Sequence, residues 1–376
     1  MSARPTVLVL SFSIIAADAR VLKQVRLLAS DFDVVTCGHG PQPEGTVEHI
    51  EVPVEHQAWV KDPRWLLLRQ YRRVYRTNPA VAYARPLLKR RRFDVVLADD
   101  IETVPLALDL APLGGVHADL HEYAPGQRSE LRRWRWFVRP YVRWLCRRFV
   151  PQAASVTTVG PSIAERFRRE FGFSAEVVMN AAPLADHAPG TVTEPIRLVH
   201  SGIAQANRHL ELMIEAVENA ARPVTLDLFL MANDQDYVDR LTTMTAGSAR
   251  VRVRGPVPYN ELVTTLNGYD VGVFLLPPVN ENYRWALPNK LFDFVQARLG
   301  VIVGPSVEMA KLVREHGLGA VTEGFTAQDL THVINGLTPQ LVRGWRQAAD
   351  AAARELSAEE QSGPWLEAIR RLAARG

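Results

Sequence analysis

The chain has 376 residues, of which 47% are hydrophobic and 23% charged, with a formal net charge of +3. That length calls for two domains, each able to bury a sizeable core. The average composition excludes a disordered chain, a collagen-like rod and a coiled coil.

From Met1 to Leu10 the sequence reads as a strand rather than a signal peptide. No run approaches the roughly 18 apolar residues of a membrane span, so a cytoplasmic protein is expected. Short apolar runs follow at "TVLVLSF", "FDVVTCG", "FDVVLA", "GVHADLH", "SVTTVG" and "EVVMN", and continue at "IRLVHSG", "VTLDLFLMA", "VRVRG", "VGVFLLP", "VIVGP" and "GAVTEG". Stretches with helical periodicity separate them. Continuous rather than alternating apolar strands fit parallel sheets covered on both faces, so the class is α/β with two doubly wound, Rossmann-like domains.

Three prolines and a glycine interrupt all periodicity across Asn180 to Pro195. The expected division is 1–185, then 195–350, then a C-terminal segment 351–376 whose helix is a candidate to pack back on the first domain. Ligands of such sheets bind outside the C-terminal ends of the strands, which makes the cleft between the domains the expected site. Cys37 and Cys146, the two cysteines, have no partner at metal-ligand spacing and read as core residues.

Charge is uneven along the chain. Residues 1–185 hold 26 Lys+Arg against 19 Asp+Glu, a balance of +7, and the remainder 18 against 22, a balance of −4. The excess lies in Arg64 to Arg92 and in Arg128 to Phe149, where arginines alternate with Trp134, Trp136 and Trp144. A helix from about Ser129 to Phe149 would be basic and amphipathic. It is either an anionic-membrane contact or a solvated face whose arginine stems cover apolar surface; no motif supports nucleic acid.

Taken in order, the polar residues next to strands are the site candidates. Asp18 reads as a helix N-cap or an acceptor contact. His121 and Glu122 follow "GVHADL" at a strand end, where an imidazole either serves structure or offers a hydrogen bond and a switchable charge to the expected cleft. In "RWALPNKLFDF" a helix starting near Pro288 puts Leu291, Phe292, Val295 and Leu299 on one face and Asn289, Asp293 and Gln296 on another. Its N-terminus would attract phosphate with Lys290 adding charge. Alternatively, Asp293 complements the helix dipole and pairs with Lys290.

The stretch "ALPNKLFDFVQARLGVIVGPSVEMAKLV" resembles a segment of GT-B glycosyltransferases of the retaining family 4 type, which usually reads P-x-K-x-x-E-Y before a V-I strand. The resemblance covers most of the chain and implies the GT-B fold. It implies that Asn289 and Lys290 lie beside the donor diphosphate and Asp293 on the ribose. In "VHSGIAQANRHLELMIEAV", Ser201, Gly202 and Arg208 match a strand, turn and helix start that serve the diphosphate, whereas Ile203 stands where a second basic residue is usual. The loop Gly255 to Pro258 matches one that lies against the base. Trp285 takes the place of a donor-sugar acid, with Glu281 as a substitute, and His121 aligns with the active-site histidine.

Asp99, Asp100 and Glu102 mimic the metal-binding DxD of the other glycosyltransferase fold, GT-A, but a cap by Asp100 on the next helix is the cheaper reading, and no essential metal is expected. Asp270 reads as a structural turn residue. The implied activity is transfer of a sugar from a nucleotide-diphosphate donor, a co-substrate rather than a cofactor. The acceptor would be a lipid-linked glycan or small molecule, and the location cytoplasmic or peripheral on the inner membrane face. The alternatives are a nucleotide-sugar epimerase or hydrolase, and a catalytically silent partner protein.

Overall fold

The computed structural model describes residues 4–376. The chain forms two compact units: one is built from the chain up to Met179 with Asn280–Asn282 and Ser362–Gly376, the other from Asn180–Val279 and Tyr283–Gln361.

In unit 1 the strands are β1 (Thr6–Ile14), β2 (Asp33–His39), β3 (Glu48–Glu51), β4 (Val95–Asp99), β5 (Gly115–Leu120), β6 (Ser155–Thr158) and β7 (Glu176–Val177). They form one parallel sheet in the order β3-β2-β1-β4-β5-β6-β7. Val7 to Leu10 and Val95 to Ala98 are completely buried, as strands covered on both faces must be. The strand order reverses between β1 and β4, which opens the switch point where doubly wound sheets bind ligands.

Unit 2 repeats the architecture with β8 (Ile196–Ala204), β9 (Val224–Ala232), β10 (Val251–Arg254), β11 (Val271–Phe274), β12 (Gly300–Val303) and β13 (Gly319–Val321). Their order is β10-β9-β8-β11-β12-β13, again parallel. The reversal falls between β8 and β11.

Three expectations about local structure change. The helix expected from Ser129 instead starts at Arg132 and passes through a wide π turn, Trp134–Val138, before the α-helix Arg139–Arg148. Pro140 is the physical reason: it has no N–H, and its ring crowds the carbonyl four residues back, at Trp136. Next, β8 does not end at Ser201-Gly202. It pairs with β9 as far as Ala204, and a 3-10 turn at Ala206–Arg208 precedes the helix Glu211–Glu218, so no helix starts at Asn207. Finally, Asp100 does not cap a helix. It is a left-handed turn residue with φ 65°, and the helix Val104–Asp109 begins four residues later.

The Pro-rich segment after Met179 is pinned within unit 2. Gln296 Oε1 accepts from the Ala185 N–H at 3.1 Å, and Arg298 Nη2 donates to the Ala185 carbonyl at 2.9 Å. Of the C-terminal residues, those up to Gln361 belong to unit 2, and the helix Gly363–Ala373 belongs to unit 1. There Ile369 and Leu372 join the β1 and β4 core, and Trp365 is fully buried. Trp365→Ala should lower the stability of unit 1 by about 3–5 kcal/mol, the usual cost of emptying a buried aromatic site. Urea unfolding followed by tryptophan fluorescence and circular dichroism checks it.

Candidate functional site

Two groups of buried charge lie at the C-terminal ends of the central strands, one in each unit. In unit 2, Ser201 and Gly202 on β8 and Phe274 at the end of β11 meet the helix Asn289–Gln296. Pro288 provides the extended N-cap of that helix, Asn289 is half-buried at its first position, and Lys290 and Asp293 are buried. The Lys290 ammonium is 3.2 Å from His200 Nε2 and 4.0 Å from the centre of the Phe274 ring.

His200 Nδ1 lies 2.9 Å from the Val273 carbonyl and must donate to it, which leaves the Nε2 lone pair for the ammonium. Burial, with the Lys290 charge beside it, holds the His200 imidazole well below its ordinary value and therefore neutral. Lys290 itself is pushed well down by burial and then by Arg208, against the attraction of Asp293. A cation stripped of water beside a second cation is a receptor for an anion.

Gly202 lets the ammonium approach. Its φ is 142°, and a Cβ there would lie 2.8 Å from Lys290 Nζ. Arg208 closes the 3-10 turn with Nη1 3.5 Å from the Ile203 carbonyl, and its Nε is buried without a hydrogen-bond partner among the described residues. Ser201, Gly202, Arg208, Asn289, Lys290 and Asp293 thus share one end of the sheet. Gly255 and Pro258 do not: they are exposed after β10, an edge strand two positions from β8. Asp270 is buried between Arg197 and Arg346, at 2.9 and 3.3 Å.

In unit 1, His121 directly follows β5. Its Nε2 is 3.1 Å from Asp99 Oδ1 and 3.2 Å from Asp119 Oδ2, and its Nδ1 is 3.5 Å from Asp100 Oδ2. Burial opposes a charge there, yet Asp100, Asp119 and Asp99 together hold the imidazole well above its ordinary value. Asp119 is fully buried and still ionised, well below the usual carboxylate range, because the Arg20 guanidinium grips it through Nε and Nη2, both at 2.8 Å. Gln24 and Thr157 donate to it at 2.7 and 2.6 Å. Burial pushes Asp99 up to about 7, and His121 only partly offsets this. Glu122 is also raised to about 7, by burial and then by Asp100.

The remaining candidates are committed elsewhere. Asp18 caps the helix Ala19–Leu28, accepting from the N–H groups of Arg20 and Val21 at 3.1 and 3.3 Å. Glu281 lies in unit 1, where Arg139 holds it at 3.1 Å, and Trp285 is half-buried beyond the short helix Glu281–Arg284. Asp99, Asp119 and His121 bring ligand-type atoms within 4.8 Å of one another, the convergence a metal would need. Asp119, however, already has both oxygens on Arg20, and a charged imidazole has no lone pair for a metal, so the group does not suit one.

Residues 20–185 match the model of Glycosyltransferase Family 4. Among solved structures, HepE of Anabaena in complex with UDP-glucose superposes with a TM-score of 0.71 at 14% identity, over 97% of this chain and 99% of that one. Sucrose-phosphate synthase of Thermosynechococcus elongatus gives 0.77 at 12% identity, over 99% and 100%. WaaG, a glycosyltransferase involved in lipopolysaccharide biosynthesis, gives 0.63 at 12%, over 95% and 100%. The chain has the GT-B fold. No curated protein matches its sequence significantly.

Sequence reasoning did not find His200, Arg20 or Asp119, which set the electrostatics of this GT-B chain. His200 and Asp119 lie in strands read as core and Arg20 on the first helix, and only a distant partner reveals the role of each. Unit 1 also contains a cavity of about 570 Å³ lined by Ser11, Ser13, Gln57, Lys61, Asp99 and Asp100 among others. No helix among the described residues is long and apolar enough to cross a membrane.

The charge network makes stability depend on pH. His121 has a raised folded pKa, so its contribution is complete below about 6.5, the unfolded value, and is lost as pH rises through the folded one. Asp119 is the opposite case, stabilising above about 3.9 and losing that contribution as pH falls. The melting temperature of unit 1 should therefore fall on the alkaline side, and His121→Asn should flatten that limb. Histidine NMR should show His121 titrating above its ordinary value, and lower in Asp119→Asn.

Proposed function

We propose that this protein is a glycosyltransferase that moves a sugar from a nucleotide-diphosphate donor to an acceptor hydroxyl, with retention of configuration and without an essential metal. The observation that carries this reading is the Lys290 ammonium, buried beside Arg208 and approached through Gly202 at the ends of β8 and β11. Complexes of the similar HepE with UDP-glucose and with UDP support the donor class. Asn289 and Lys290 hold the diphosphate, Asp293 the ribose, and Ser201 and the Gly202 turn line its approach.

In the reaction the acceptor oxygen bonds to the anomeric carbon, the bond from that carbon to the diphosphate oxygen breaks, and the hydroxyl proton leaves with the diphosphate. Lys290 and Arg208 stabilise the charge that develops on the departing oxygens, as a metal would elsewhere. His121, whose Nε2 is held by Asp99 and Asp119, offers a sugar oxygen its Nδ1–H, for which Asp100 is a long partner at 3.5 Å, in unit 1, where the cavity beside Asp99 and Asp100 receives the acceptor. Glu122, raised by burial, adds a hydroxyl contact.

A cytoplasmic enzyme attached peripherally to an anionic membrane, with a lipid-linked acceptor, accounts for the arginine and tryptophan excess of unit 1. A catalytically silent partner remains the second reading, favoured by Ile203 and by Glu281, whose carboxylate is held by Arg139. An epimerase or hydrolase would consume donor with no acceptor present.

Lys290→Ala and Arg208→Ala should each lose most transfer activity, by about 100-fold or more as expected for a leaving-group stabiliser. Because Lys290 is a buried cation, Lys290→Met should leave the melting temperature unchanged or higher while nucleotide-diphosphate binding falls. Near-normal turnover in both alanine variants would sink the assignment. Full activity in excess EDTA is expected; loss restored by Mn²⁺ would overturn metal independence.

A further inference from the structure

Arginine is distributed unequally on unit 1. Arg139 and Arg143 are paired with Glu281 and Glu170. Arg72, Arg76 and Arg148 form no ion pair among the described residues, yet all three line one groove of about 320 Å³. The geometry is simple: Arg72 and Arg76 are four residues apart on the helix Tyr71–Arg76, and Trp144 and Arg148 are four apart on the helix Arg139–Arg148, so each helix turns one face into the groove. Asp109, the acid in its lining, is already taken by Arg85 at 2.8 Å and Lys89 at 3.1 Å.

Three unpaired guanidinium groups around a concavity repel one another, and an anion relieves that repulsion. Guanidinium donors match phosphoryl oxygens in geometry and charge. The floor is aromatic: Phe149 lies 5.2 Å from Trp144 and 6.4 Å from Tyr75, centre to centre. Apolar side chains are exposed on neighbouring segments, with Leu67 and Leu68 at 66% and 62% and Trp136 at 69%. They lie on segments in contact with these helices, since the helix Pro63–Leu67 packs on both Tyr71–Arg76 and the π turn. A hydrated free anion has no use for the Tyr75, Trp144 and Phe149 rings that line the groove. A phosphoryl group at the head of an apolar chain uses both.

We propose that this groove binds the phosphoryl headgroup of an anionic lipid, with Arg72, Arg76 and Arg148 on the phosphoryl oxygens and Trp144 against the apolar portion. The inference rests on the membrane reading given above and not on the transfer reading. Through Tyr75 the groove touches the acceptor side of unit 1, because the Tyr75 hydroxyl donates to the Glu102 carbonyl at 3.1 Å and Glu102 lines the cavity beside Asp99.

The test uses the full chain and dihexanoyl phosphatidic acid below its micellar concentration, with inorganic phosphate and dihexanoyl phosphatidylcholine in parallel. Calorimetry should show binding of the phosphatidic acid, weakened at least about tenfold in Arg72→Gln/Arg148→Gln, with phosphate and phosphatidylcholine much weaker. The double variant should keep the melting temperature and the UDP binding of the parent, since Lys290 and Arg208 lie in unit 2. No binding of phosphatidic acid, or equal binding by the variant, overturns the site. Phosphate bound as tightly as the lipid overturns the lipid and leaves a free-anion groove. Flotation with vesicles of phosphatidylcholine and phosphatidic acid separates this site from the surface reading: flotation lost in the variant supports both, and flotation unchanged by it overturns the site while keeping the surface.

Discussion

A charge withdrawn from water must be answered inside the protein, and the two units answer theirs differently. Parallel strands expose all their C-terminal ends at one edge, and the reversal of strand order leaves a gap between the two central strands. In unit 1 Asp119 lies on β5, one strand beyond that gap, and the fold satisfies it with the Arg20 fork, Gln24 and Thr157. In unit 2 the gap holds Lys290, whose neighbours are a neutral imidazole, a ring face, the Arg208 cation and the attracting Asp293. One charge is closed by an arginine fork; the other lies beside a second cation.

That contrast orders the chemistry of the chain. With Asp119 neutralised by Arg20, the carboxylate becomes a fixed reference against which His121 is oriented and kept charged. The same network extends to the C-terminal helix: Trp365 stacks on the Arg20 guanidinium at 4.6 Å and donates to Thr157 at 3.2 Å. Packing of a terminal helix and the ionisation of a strand-end histidine are thus one structural fact. In unit 2 the cost of stripping water from Lys290 is carried by the surrounding core, where Leu291, Phe292, Phe294 and Val295 of the same helix are all buried. Asp270 shows the structural use of the same device, a buried carboxylate closed by two arginines.

Much of this was legible in one dimension, for definite reasons. Strands buried on both faces leave continuous apolar runs, so twelve of the thirteen strands among the described residues correspond to the runs read from the sequence, and the edge strand β3, Glu48–Glu51, with its polar residues, was missed. Lys290 stood out because a cation in an apolar helical repeat has few reasons to be there, and His121 because it ends a strand. Local geometry was less legible. Continuation of β8 past Gly202 depends on pairing with β9, the π turn depends on which carbonyl meets Pro140, and the left-handed Asp100 depends on its bond to the His121 N–H. Glu281 looked like a free loop acid, and only the fold brings it to Arg139.

By itself, the sequence determined the class of fold and the identity of the polar residues that interrupt apolar runs, because periodicity and composition are properties of neighbours along the chain. Tertiary structure alone decided which charges are answered. Arg20 and Asp119 are 99 residues apart, and Lys290 and His200 are 90 apart. Whether a buried group is paired, neutral or awaiting a ligand depends on distances of a few ångströms between segments that the sequence keeps far apart.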